Sequence, residues 1–167
     1  MVVQVNKRAR CLIPVMPNLR AVKMMYVLLK YLHFIGILAL FSSIALEHTL
    51  LKREMNSAEF ARLSTIDLVY GVSAVLVLLA GLVLWLVVGK PSEFYSLNPV
   101  FHVKVSLFVL VGLISIYPTV YFLKNRKHSA PMISVPKSII MAVRMELLLL
   151  LVIPLLAVLM AQGYGLA

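Results

Sequence analysis

The sequence predicts an all-α integral membrane protein built as an antiparallel four-helix bundle. Hydrophobic residues make up 62% of its 167 residues, whereas soluble domains carry about 45–50%. A single soluble core of this length could not bury so much apolar surface. The chain also contains four apolar runs, each long enough to cross about 30 Å of hydrocarbon. Because backbone groups in lipid must bond within their own segment, we expect helices and no β-sheet.

The predicted elements follow one another through short connections. Residues 1–23 form a basic tail, or an extension upstream of a natural start at Met24 or Met25. The transmembrane domain occupies residues 24–167, and its helices are predicted at about 24–46, 66–88, 100–123 and 139–161. Asn56 is a cap residue and predicts a small surface helix in the first connection. Short connections between helices favour an antiparallel up-down bundle.

The basic residues of the connections predict the orientation. Loop one (49–65) and loop three (124–137) hold seven Lys and Arg between them, whereas loop two (89–99) holds Lys90 alone. By the positive-inside rule, loops one and three face the cytoplasm of a bacterial inner membrane and the termini are periplasmic. The 16 Lys and Arg lie mostly in the basic tail and the loops, which is an ordinary pattern for a membrane protein of net charge +10, so nucleic-acid binding is not expected. Cys11 is the only cysteine and excludes an internal disulfide.

Two histidines lie inside the apolar runs and are candidate ligands. Ionisable groups at membrane depth are costly and default to functional hypotheses. His33 in the first helix and His102 in the third lie near the starts of helices that run in the same direction. We therefore expect both at one level, facing a common cavity where they would ligate a haem iron. The alternative is that each histidine faces the headgroups or bonds a neighbouring carbonyl.

Lys104 follows His102 by two residues, about 200° round the helix, so both side chains cannot point into one pocket. As a binding group, Lys104 would hold a propionate or another carboxylate. Otherwise it is an anchor that reaches to the membrane interface.

A second ionisable cluster is predicted at the opposite end of the bundle. Glu47 ends the first helix, Asp67 begins the second, and Arg144 and Glu146 lie near the start of the fourth. Antiparallel geometry brings these ends together, and Arg144 is expected to pair with Asp67 or Glu47. A structural ion-pair cluster that fixes the order of the helices is favoured over a functional role.

Four segments resemble a bacterial integral membrane protein family of unknown function over about residues 24–160: Leu32-His33-Phe34-Ile35-Gly36, Glu47-His48, Asp67-Leu68-Val69-Tyr70-Gly71 and Phe101-His102-Val103-Lys104. More distantly, the chain is similar to the HemJ-type protoporphyrinogen IX oxidases. Those small helical proteins, associated with haem b, share the Leu-His of the first helix and a His-x-Lys that opens a later one. Their Pro-Arg segment and a later histidine have no match here.

Two functions follow as hypotheses. The resemblance implies a haem b protein with a redox role, similar to protoporphyrinogen IX oxidase, with His33, His102 and Lys104 at the cofactor and a membrane electron acceptor as partner. The alternative is a non-enzymatic membrane protein without haem, such as a small-solute transporter or an assembly subunit. Both place the chain in the lipid bilayer, and both leave a homo-oligomer open.

Overall fold

A computed structural model of the chain describes residues 19–88, 95–126 and 132–165. The helices of the described part are α1 (Leu19–Leu50), α2 (Ser57–Val83), α3 (Pro99–Asn125) and α4 (Lys137–Ala161). A π-helical segment, Leu84–Val88, continues α2 directly. All four helices are long and apolar enough to cross a membrane. This confirms the all-α class and the four predicted spans; residues 1–18 of the predicted tail lie outside the described residues.

The helices form a closed ring of neighbours. α1 packs most extensively on α2, and α3 on α4, while α1 also contacts α4 and α2 contacts α3. Each helix therefore lies beside the helix that follows it, and the last returns beside the first. This is the arrangement that short connections predict for an up-down bundle.

Two helices begin earlier than the apolar runs suggest. α1 begins at Leu19, which places Arg20 and Lys23 inside the helix; long basic side chains are tolerated there because their charges can reach the interface. α2 begins at Ser57, where the Asn56 side chain accepts from the backbone N–H of Glu59 and the Glu59 carboxylate accepts from the backbone N–H of Asn56. This capping box starts the spanning helix itself rather than a separate surface helix.

The prediction that no β-sheet occurs is wrong in one detail. Strands β1 (Glu54–Met55) and β2 (Ile133–Ser134) pair antiparallel. Just beyond them, the backbone N–H of Val135 donates to the Arg53 carbonyl at 2.8 Å. The ladder joins loop one to loop three and pairs backbone groups of the two connections with each other.

Two hydrophobic clusters fill the bundle. The central cluster lies between the helices and consists of Leu40, Ile44, Tyr70, Val77, Val111, Val143 and Leu150. The end cluster lies under the ladder and consists of Met55, Phe60, Leu63, Phe122, Ile133, Val135 and Ile139. The ladder and the end cluster thus close the end of the bundle that carries loops one and three.

Candidate functional site

Three carboxyl groups are buried together near this closed end. Glu47 of α1, Asp67 of α2 and Glu146 of α4 expose only 1%, 2% and 1% of their surface. They act on one another electrostatically, Glu47 on both of the others and Asp67 on Glu146. The sequence predicted that these three acids would meet because antiparallel helices bring their positions to one end. We call Glu47, Asp67 and Glu146 the carboxyl cluster.

The carboxyl cluster has few hydrogen-bond partners. Within residues 19–88, 95–126 and 132–165, neither Glu47 oxygen has one, and Asp67 Oδ2 and Glu146 Oε1 also lack one. The partners that it does have are neutral hydroxyl groups. Thr119 Oγ1 of α3 donates to Asp67 Oδ1 at 2.9 Å, and Tyr70 interacts with Glu146 through its hydroxyl. Buried polar groups are usually satisfied, so each exception calls for an explanation.

The ion pair predicted for Arg144 is not formed in the described part of the chain. Arg144 lies on an exposed face of α4, and the one salt bridge recorded among the described residues joins Lys52 to Glu59. The physical reason is helical geometry. Arg144 precedes Glu146 by two residues, about 200° round the helix, so the two side chains leave it in opposite directions. The acids therefore meet without the cation that the predicted network required.

The surroundings of the cluster are apolar on both sides. Asp67 lies between Leu63 of the end cluster and Tyr70 of the central cluster. Ser64, one turn before Asp67, is buried, and its Oγ has no partner. No set of three His, Cys, Asp or Glu side chains among the described residues has the arrangement of a metal site. The cluster therefore presents oxygen atoms that lack both a cation and a full set of donors.

The His33 side chain of α1 packs closely against α2. Its Nδ1 lies 3.0 Å from the Val77 carbonyl oxygen, and since a carbonyl only accepts, Nδ1 carries the proton and donates. Gly81, one turn after Val77, makes room for the ring, because an added Cβ would lie 3.2 Å from His33 Cε1. Gly36 lets the helices approach, since its added Cβ would lie 2.9 Å from Val77 Cγ2. Nε2 of the neutral ring remains an acceptor.

His102 and Lys104 point in different directions, as their two-residue spacing requires. His102 is exposed, and its Nε2 donates to the Ser96 carbonyl at 2.7 Å. Lys104 is half-buried and close enough to His33 to act on it electrostatically. The structure thus brings Lys104 toward His33, while His102 bonds a carbonyl of its own connection.

This placement does not fit the predicted pair of axial ligands. Haem held from both faces needs a free ring nitrogen from each histidine, directed at one iron. His33 meets the condition, because its Nδ1–H is held by a carbonyl and Nε2 is left. His102 does not, because its Nε2 is engaged with Ser96 on an exposed surface.

Two hydroxyl partners of the carboxyl cluster, Thr119 and Tyr70, were not predicted from the sequence. Thr119 lies one residue after Pro118, inside the apolar run of α3, and its polarity in that run was the available signal. Tyr70 shares a helix face with Asp67 because the two are three residues apart. Which face of a helix meets which neighbour depends on tertiary packing, so neither contact follows from the spacing alone.

Comparison with known proteins identifies a family without an assigned activity. No curated protein and no solved structure matches the chain, and nothing in these comparisons supports the similarity to HemJ-type oxidases. A family model described as "Predicted membrane protein (DUF2214)" matches residues 25–165, nearly the whole chain. This multi-pass membrane protein therefore belongs to the DUF2214 family of predicted membrane proteins.

Proposed function

We propose that this protein is a non-enzymatic membrane protein that binds and releases protons at the carboxyl cluster, as the transporters among small membrane proteins do. One observation carries the proposal: Glu47, Asp67 and Glu146 come from three helices, are buried together and have no cationic partner among the described residues. Ionised carboxylates are far too costly to bury unpaired, and buried acids become neutral instead. Acidic groups at membrane depth typically mark ion pathways and proton relays.

Protons account for the cluster better than metal ions do. Three carboxylates would attract a hard cation such as Ca²⁺ or Na⁺ if their oxygens converged on one point. No described group of side chains has that arrangement. The neighbouring Tyr70 and Thr119 supply hydroxyl groups, which can both donate and accept. Such groups carry a proton between carboxyls without a permanent charge.

Infrared spectroscopy of the purified protein tests proton binding directly, because the carbonyl stretch of a protonated carboxyl differs from that of a carboxylate. We expect the protonated band in the wild type, and we expect it to fall as the pH rises. Glu47→Gln, Asp67→Asn and Glu146→Gln should each weaken the band. Glu54→Gln, which changes an exposed carboxyl on β1, should not.

Two results would overturn this proposal. A spectrum without the protonated band at any pH excludes protonated acids in the cluster. A band that stays constant throughout the titration marks a fixed structural acid that does not exchange protons with water.

We further propose that the bundle lies in a bacterial inner membrane with loops one and three in the cytoplasm, because of their seven basic residues. Cysteines introduced at the exposed Leu97 and Met132, in a Cys11→Ser background, form a matched pair on opposite ends. In intact cells an impermeant maleimide should label Leu97→Cys, whereas Met132→Cys should react only after permeabilisation. The reverse pattern would invert the topology.

Haem b binding and a redox role stay a prediction of the sequence. Of the two proposed ligands, His33 bonds the Val77 carbonyl through Nδ1 and keeps Nε2 as an acceptor, whereas His102 uses its Nε2 to bond the Ser96 carbonyl. Absorbance of the protein purified after haem-replete expression tests the prediction, and a spectrum without a Soret band rejects it.

A further inference from the structure

We infer that the end of the bundle that carries loop two holds a binding site for an oxyanion carried on an apolar molecule, with the Trp85 indole N–H and the Lys104 ammonium as donors. This site is separate from the carboxyl cluster and does not depend on the proposed proton binding. His33 of α1 and Lys104 of α3, which the sequence singled out for haem, belong to it.

Trp85 supplies the first observation. Its Nε1 is buried and has no hydrogen-bond partner, and an indole nitrogen can only donate. Trp85 lies in the π-helical segment Leu84–Val88 that continues α2 beyond Val83. Short π-helical segments are rare and often occur at functional sites. Trp85 is therefore a buried donor in an irregular helix, and the described residues provide no acceptor for it.

Lys104 supplies the second observation. Its Nζ lies 5.3 Å from the centroid of the Phe101 ring, and no salt bridge to it occurs in the described part of the chain. The same Phe101 ring meets Trp85 edge-on at 4.9 Å between centroids. The side chains of Trp85 and Lys104 thus both contact the ring of Phe101. A half-buried ammonium group without a carboxylate partner carries an uncompensated charge, which a bound anion would neutralise.

His33 completes the polar lining. Its ring lies against Gly81, which precedes Trp85 by four residues and so shares its helix face. With Nδ1 bonded to the Val77 carbonyl, Nε2 is left as an acceptor, and Lys104 acts electrostatically on the same ring. The negatively charged oxygens of a ligand would accept hydrogen bonds from Trp85 and Lys104. The protonated form of the same ligand would donate a hydrogen bond to His33. The surrounding lipid and Phe101 favour an apolar chain behind the anionic group.

The chain carries its own reporter, since Trp85 is its only tryptophan. We would titrate the purified protein with decanoate below its micelle concentration and follow the tryptophan emission. The expected result is a saturable change whose apparent affinity falls at least tenfold in Lys104→Gln and is largely kept in Lys104→Arg. Lys30→Gln changes another lysine over an aromatic ring, that of Tyr26 at 5.7 Å, and should behave as wild type.

Further titrations distinguish between the possible sources of the anion. Nanodiscs of phosphatidylglycerol against phosphatidylcholine test an anionic lipid headgroup, and a saturable, Lys104-dependent change with phosphatidylglycerol supports the site and names its source. Inorganic phosphate has the charge without the apolar chain, and a response to it as strong as that to decanoate overturns the inference. Decanol has the same chain without the charge. An equal response to decanol, a response that survives Lys104→Gln, or no saturable change with any anion overturns the inference.

Discussion

Replacement of Glu47 by methionine should stabilise the protein, raising its free energy of unfolding by about 2 kcal/mol. Both carboxyl oxygens of Glu47 are buried without a hydrogen-bond partner. Methionine fills a similar volume with an adaptable apolar side chain and brings no group that needs solvation. Equilibrium unfolding in mixed micelles measures the difference. The same variant should weaken the infrared band of the protonated acids, because it removes one of them.

A matched control separates this effect from a general gain in hydrophobicity. Glu54→Met changes an exposed glutamate at the ladder, and we expect a change within about 0.5 kcal/mol, as is usual at the surface. A Glu47→Met variant that is clearly less stable than wild type would mean that the carboxyl holds the bundle together. A gain in stability with loss of proton binding is instead the trade-off expected of a functional site.

Truncation of Phe60 to alanine should cost about 3–5 kcal/mol of unfolding free energy, the range measured for buried phenylalanines. The Phe60 side chain is fully buried in the end cluster. Its ring meets Phe122 at 5.7 Å and Tyr121 at 6.1 Å, both edge-on, and such pairs add to the energy of burial. The loss should appear as a lower midpoint of thermal unfolding in detergent.

Phe34→Ala is the matched control, since the Phe34 side chain on α1 is 58% exposed. In a bilayer that side chain faces lipid, so its removal leaves no cavity and should change stability little. Equal losses in the two variants would contradict the role of the end cluster as the closed end of the bundle.

The fold could be predicted from the sequence because the bilayer fixes the length of each helix. Four apolar runs predict four helices whatever their contacts, since every backbone group in lipid must be bonded. The ladder between Glu54–Met55 and Ile133–Ser134 could not be predicted from the sequence. Its two-residue strands carry no alternation, and they pair only because the helices bring loops one and three together.

Only part of the candidate site could be predicted from the sequence, because contacts between helices depend on tertiary packing. Helix direction alone places Glu47, Asp67 and Glu146 at one end, but rotation about each axis decides which side chains meet. The sequence prediction put Arg144 and Glu146 in one cluster, although their two-residue spacing lets only one of them face it. Which one turned inward depended on packing. At the other end, the choice between His102 and Lys104 rested likewise on packing against α1 and α2.

The length of α1 has a consequence for the bilayer around it. Its 32 residues make a rod of about 48 Å, against a hydrocarbon thickness of about 30 Å. Even at a steep tilt of about 40° the rod spans about 37 Å along the membrane normal. The excess of helix length over hydrocarbon thickness therefore leaves about two turns of helix among the headgroups. At the first turns of α1, Arg20 and Lys23 carry positive charge to that level, where lipid phosphates counter it.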